Sequence, residues 1–152
     1  MDKFPSEFKA QSNKSIGLSF IKVYHLWHKK IKDELKSLNL THPQFVVLAS
    51  LGYLSQTEQE IFQVEIAKQA DMDVMTVSTI IRNLEKAELI RRRESLVDTR
   101  AKAIKLTEAG SEILAKALPL VETIDKRFFE ALESDQEIFN NFLLRLVESN
   151  SN

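Results

Sequence analysis

The chain has 152 residues, a formal net charge of −1, 43% hydrophobic residues and no cysteine. That length suits one domain, or one domain with an oligomerisation element, and the apolar fraction excludes bulk disorder. The missing cysteine excludes disulfides, thiol catalysis and thiol redox sensing. No apolar run reaches bilayer length, and Met1-Asp2-Lys3-Phe4-Pro5 lacks a signal-peptide core, so a cytoplasmic setting is expected.

Glycine and proline are scarce, three of each, so helix should dominate. A first long helix is predicted from about Asn13 to Leu38, with Ile16, Phe20, Val23, Trp27, Ile31, Leu35 and Leu38 on one stripe and a lysine-rich face opposite. Asn39 should end it, because asparagine tolerates left-handed backbone. Thr41-His42-Pro43-Gln44 reads as a capping box that opens a second helix from His42 to Leu54. Ser55 to Glu60 should be a loop and Ile61-Phe62 a short strand. A third helix, Gln63 to Ala70, would bury Val64, Ile66 and Ala67.

Asp71-Met72-Asp73 forms the next turn, with Asp73 capping a fourth helix from Val74 to Ala87. Val77, Ile80, Ile81 and Leu84 should face inward. Met75, Thr76, Ser78, Thr79, Arg82 and Asn83 would face outward, mostly small or polar and suited to close approach. Two strand-like segments follow between Leu89 and Thr107, around a tip rich in charge. Thr107 should cap a fifth helix from Glu108 to about Leu132, kinked or interrupted at Pro119. Ser134-Asp135-Gln136-Glu137 reads as another capping box. It would open a sixth helix from Asp135 to about Glu148 with Ile138, Phe139, Phe142, Leu143 and Leu146 as its apolar stripe, before a fraying tail, Ser149 to Asn152.

Charge is unevenly placed. Residues 1–40 carry +4, 41–81 carry −4, 82–105 carry +4 and 106–152 carry −5. A local basic patch, rather than net charge, is what phosphate binding requires. The helix pair 63–70 and 74–87 with a three-residue turn fits helix-turn-helix geometry, and the charged hairpin after it supplies a wing. The fold class is therefore mainly α with a small β-hairpin: a winged helix-turn-helix at 41–107, flanked by terminal helices at 1–40 and 108–152. Those helices carry much apolar surface, including Phe20, Tyr24, Trp27, Phe128, Phe129, Phe139 and Phe142, which implies an isologous homodimer.

The run Asp98-x-Arg100-x3-Ile104-x-Leu106-Thr107-x2-Gly110, preceded by Leu84-Glu85-x3-Leu89-Ile90-x-Arg92, resembles the wing signature of the MarR family of bacterial winged-helix regulators. Thr41-x2-Gln44-x3-Leu48-x2-Leu51, Ile66-Ala67 and Thr76-Val77-Ser78 extend the resemblance, which spans about Thr41 to Gly110. It implies a DNA-binding transcriptional regulator, expected to be a repressor. The fourth helix would enter the major groove and the wing, 91–104, the minor groove of a pseudo-palindromic operator.

Arg100 matches the family's wing arginine and Asp98 the aspartate that orients it; a narrow minor groove attracts an inserted guanidinium. The family position of Arg92 also falls in the wing. Because Arg91, Arg92 and Arg93 alternate faces, at least one is expected at a phosphate and another in an intramolecular ion pair. The candidate DNA-binding residues are Met75, Thr76, Ser78, Thr79, Arg82, Arg92, Asp98 and Arg100, with Arg82 the strongest candidate base reader. The family usually has glycine where this chain has Glu88. A left-handed Glu88 would store strain on the order of 1 kcal/mol.

Phe20, Tyr24, Trp27 and Phe45 could line a pocket for a small aromatic ligand, although such a stripe more often serves as core, the preferred reading. His25, His28 and His42 lack the further ligands of a zinc site, so no metal or cofactor is expected. The alternative to a DNA-binding regulator is a winged helix used as a protein–protein interaction module. An enzyme is disfavoured, because no nucleophile–base pair or phosphate-cradling glycine loop is present.

Overall fold

The computed structural model describes residues 3–57 and 59–151; Met1, Asp2, Glu58 and Asn152 lie outside the described residues. It divides into two compact units, Ile31–Val121, and Met1–Lys30 with Glu122–Asn152. Helix α1 spans Ile16–Leu35 and continues as a 3-10 turn at Lys36–Leu38, which Asn39 ends with φ 56° as anticipated. The first helix is thus shorter at its start than predicted, because Ser12–Lys14 forms a separate 3-10 turn.

The central unit is built from local signals. Thr41 caps α2 (His42–Leu54): Gln44 N–H donates to Thr41 Oγ1 at 3.2 Å, and Thr41 N–H donates to Gln44 Oε1 at 3.0 Å. Helix α3 covers Gln63–Ala70, and Asp71 ends it in left-handed conformation at φ 53°. Asp73 then caps α4 (Val74–Lys86) by accepting from Thr76 N–H at 2.9 Å. Strands β1 (Ile90–Glu94) and β2 (Lys102–Leu106) pair antiparallel, with Arg92 opposite Ile104 and Arg91 opposite Lys105.

Buried apolar side chains among the described residues all lie between Ile31 and Val121. Phe45, Leu48 and Leu51 of α2 join Ile66 of α3, Val77, Ile80, Ile81 and Leu84 of α4, and Ile90 and Ile104 of the hairpin. The inward face predicted for α4 is the observed one. Two expectations in this unit fail. Val64 is exposed, because the eight-residue α3 turns only Ile66 and Ala67 inward. Ile61-Phe62 is not a strand: Ile61 accepts one bond from Ile104 N–H at 2.8 Å, and Phe62 already occupies the N-cap of α3.

A compact junction joins α4 to the hairpin and to α5 (Glu108–Phe129). Glu88 N–H donates to Glu85 O at 2.9 Å and Leu89 N–H to Leu84 O at 3.0 Å. This is a Schellman end, which requires left-handed backbone at Glu88; its φ is 61°. Thr107 closes the junction by donating its amide to Leu89 O at 3.1 Å and its hydroxyl to Glu88 O at 2.7 Å. That hydroxyl also accepts from Gly110 N–H at 3.0 Å, capping α5. A Cβ at position 110 would overlap the Leu89 carbonyl, so glycine is required there for space.

The terminal unit is helical. Helix α5 passes Pro119 without interruption and gives way at Glu130 to a 3-10 segment, Glu130–Asp135. Helix α6 covers Gln136–Asn150. The predicted Ser134 capping box does not form. Glu133 breaks the chain direction at φ 50°, ψ −123°, and Asp135 stands at the N-cap with no side-chain bond. The tail does not fray at Ser149 either, since α6 continues to Asn150, whose side-chain amide donates to Leu146 O at 2.8 Å. In this unit Trp27 Nε1 donates to Asp125 Oδ1 at 2.7 Å, and Phe128, Phe129 and Phe139 pack ring to ring. Yet Ile16, Phe20, Val23, Leu26, Ile138, Phe142 and Leu146 remain exposed. No helix among the described residues is long and apolar enough to cross a membrane.

Candidate nucleic-acid interface

Helix α4 presents an exposed face opposite its buried stripe. Met75 is 75% exposed, Thr76, Thr79 and Arg82 are exposed, and Ser78 is half-buried. Two hydroxyls on this face are already engaged: Thr76 Oγ1 donates to the Asp73 carboxylate, and Thr79 Oγ1 donates to Met75 O at 3.3 Å. The Thr76 hydroxyl and then its amide hold the Asp73 carboxyl below the usual aspartate range. The start of the helix is thereby fixed, with a carboxylate at its positive end.

The hairpin has two chemically distinct faces. Ile90, Arg92, Ile104 and Leu106 share one, and Arg91, Arg93 and Lys105 share the other. Arg92 does not reach outward. Its Nη2 and Nε donate to Glu85 Oε1 at 2.8 and 3.2 Å, and its amide donates to Glu85 Oε2 at 3.3 Å. Hydrogen bonding from Arg92 draws the Glu85 carboxyl below its ordinary range and raises the guanidinium in turn. Arg92 is therefore the intramolecular ion pair anticipated among the three arginines, and it ties the wing to α4. Arg91, Arg93 and Lys105 instead border a shallow recess of about 210 Å³ with Thr107 and Glu108.

At the tip, Asp98 and Arg100 come together as expected. Arg100 N–H and Nε–H donate to Asp98 Oδ1 at 3.0 and 3.1 Å, and Nη2 donates to Oδ2 at 3.4 Å. These bonds, side chain first and amide second, lower the Asp98 pKa. The Arg100 side chain is 90% exposed, so the pair adds little stability; it fixes a direction.

Two participants escaped sequence reasoning. The Glu60 carboxylate accepts from Ser95 Oγ at 2.8 Å and from Leu96 N–H at 3.2 Å, holding the base of the tip from 35 residues away. No spacing signal connects positions that far apart. Glu85 lay inside the motif, but its role as the partner of Arg92 was not foreseen.

The aromatic candidates divide between the units. Phe20 and Tyr24 are exposed on α1 and Trp27 is half-buried there, whereas Phe45 is buried in the central core. Tyr24 stacks on His28 with ring centroids 5.3 Å apart.

Residues 40–102 match the model of the MarR family. The chain is 35% identical to the uncharacterized HTH-type transcriptional regulator YdcH of Bacillus subtilis (strain 168) over 136 residues, 90% of each chain. Its fold is similar to that of MepR from S. aureus in a MepR–DNA complex, with a TM-score of 0.80 at 24% identity, covering 91% of this chain and 99% of that one. It is also similar to BpsR from Bordetella bronchiseptica, a structure described as explaining regulation of DNA binding by 6-hydroxynicotinic acid. There the TM-score is 0.74 at 23% identity, covering 88% of this chain and 98% of that one.

Proposed function

The chain belongs to the MarR family, and from that premise we propose that it is a homodimeric, sequence-specific DNA-binding transcriptional regulator, acting as a repressor in the cytoplasm and carrying out no enzymatic step. In this reading a DNA-binding domain at 41–107 lies between dimerisation helices at 1–40 and 108–152. One observation carries the reading. The exposed Arg100 guanidinium is held outward by Asp98 at the end of a hairpin tied to α4 through Arg92 and Glu85.

In the bound state, Met75, Thr76, Ser78, Thr79 and Arg82 would face the major-groove edges, with Arg82 reading a guanine. Arg100 would enter the minor groove, and Asp98 would limit its rotamers and so the ordering cost. Arg92 keeps Glu85; phosphate contacts fall to Arg91, Arg93 and Lys105, the cations on the opposite strand face. Two copies would read half-sites whose centres lie about 10 base pairs apart.

Selection from a randomised 30-base-pair duplex tests this. The chain should enrich a near-palindrome, and its affinity should fall steeply between 50 and 200 mM salt. Arg100→Ala should weaken binding to that duplex about ten- to hundredfold. Unchanged affinity would favour a winged-helix protein–protein interaction module instead.

Relief by a small aromatic ligand completes the proposal. BpsR is described as regulated by an aromatic acid, and this chain exposes Phe20 and Tyr24 beside its single tryptophan, Trp27. Phe45 was the fourth candidate, but its burial assigns it to the core. Titration of 6-hydroxynicotinic acid or salicylate against Trp27 fluorescence, followed by release of the selected duplex, is the check.

A further inference from the structure

The tip of the hairpin, Ser95 to Ala101, is long for a loop that must deliver a guanidinium to one place. Such a segment outside a ladder would ordinarily sample many conformations, each lost on binding. Here its amides are almost all satisfied internally. Ser95 N–H donates to Ala101 O at 3.1 Å and Ala101 N–H to Asp98 O at 3.0 Å. Val97 and Asp98 N–H both donate to Ser95 Oγ at 3.0 Å. Ser95 is 3% exposed, and its hydroxyl hydrogen goes to Glu60 Oε1; Leu96 N–H goes to both Glu60 oxygens, at 3.2 and 3.3 Å. The tip's shape therefore converges on one carboxylate outside the hairpin.

The charge of that residue is informative. A carboxylate beside the tip that approaches phosphates costs affinity by repulsion. On electrostatics alone, neutralising it would tighten DNA binding.

We propose that Glu60 is a positioning residue for the wing: through Ser95 and Leu96 it presets the tip so that Arg100 meets the groove already oriented. This deepens the DNA-binding reading and rests on it. Arg100 touches the DNA; Glu60 acts only through the backbone that carries Arg100.

The test is a double-mutant cycle on the full chain with the duplex selected above, at 100 mM salt, using Glu60→Gln, Arg100→Ala and the pair. Glutamine keeps the size of Glu60 but removes the charge and turns one acceptor into a donor facing the Leu96 amide. The expected result is a loss of affinity on the order of tenfold for Glu60→Gln, opposite in sign to the electrostatic expectation. That loss should vanish when Arg100 is already alanine. Ser95→Ala should reproduce both effects, and thermal melting of the free proteins should be little altered.

A rise or no change in affinity with Glu60→Gln would overturn the proposal. So would an equal loss in the Arg100→Ala background, which would mark Glu60 as a general stabiliser of the domain. Failure of the unaltered chain to select any duplex would overturn the DNA-binding reading and this one with it. The former outcomes would overturn this one alone.

Discussion

The two halves of this molecule use apolar residues in opposite ways. Between Ile31 and Val121 most large apolar side chains turn inward, with Val64, Met75 and the tip residues Leu96 and Val97 among the exceptions, and Ile31, Leu35, Leu48, Leu51, Ile66, Ile81, Leu84 and Ile104 are fully buried. In the terminal unit, Ile16, Phe20, Leu26, Ile138, Phe142 and Leu146 stand in solvent. Exposed apolar side chains in such number point to an interaction site. The central unit buries its core within one chain, whereas the terminal helices would be covered by the proposed second copy.

Substitutions can break or sharpen that contrast. The largest expected effect is in the centre. Leu48→Ala should cost about 3–4 kcal/mol, removing buried contacts that the surroundings cannot refill. Calorimetry should show a lower melting temperature whose decrease does not depend on protein concentration. A concentration-dependent decrease would mean that the centre, too, relies on the partner. Next comes Phe142→Glu on α6, which should raise the dimer dissociation constant on the order of a hundredfold by placing a charge in the expected interface. Sedimentation equilibrium would read it, and an unaltered constant would place the interface elsewhere.

Gly110→Ala should cost about 2 kcal/mol, because its methyl group would displace the Leu89 carbonyl from the junction. Denaturant titration measures it, and the dimer constant should not move. The smallest effect should come from Glu88→Gly. Relief of left-handed strain at φ 61° should stabilise the chain by up to about 1 kcal/mol, less the entropy glycine gains when unfolded. A loss would show that the Glu88 side chain contributes more than its backbone costs.

What the sequence disclosed were devices whose parts lie within a few residues. Thr41 with Gln44, Asp73 as a helix cap and Asn39 at a helix end were each readable from spacing, because local geometry leaves few alternatives, and Asp98 with Arg100 from the family resemblance. The same rule misled at Ser134. Its motif is present, but Glu133 turns the chain there and the helix begins later. Helical periodicity found the inward face of α4, whose four buried residues are unambiguous, and misplaced Val64 on the short α3, where one turn decides the face. The site was legible to the extent that it was local. Glu60 reaches Ser95 only because the loop before α3 folds back on the hairpin, and no pattern along the chain encodes that meeting.

The junction where α4 ends and α5 begins has a consequence on the time axis. Leu89 and Thr107 amides are bound within it, and the Thr107 hydroxyl serves both the end of one helix and the start of the next. None of these bonds can open without loosening the others, so their hydrogens should exchange with solvent together, at the rate of global opening. The tip beyond them, where Leu96, Val97, Thr99 and Arg100 are exposed, should exchange faster. The DNA-reading parts would then have two clocks: a slow one for the frame that carries helix and hairpin, and a quicker one for the few residues that probe the groove.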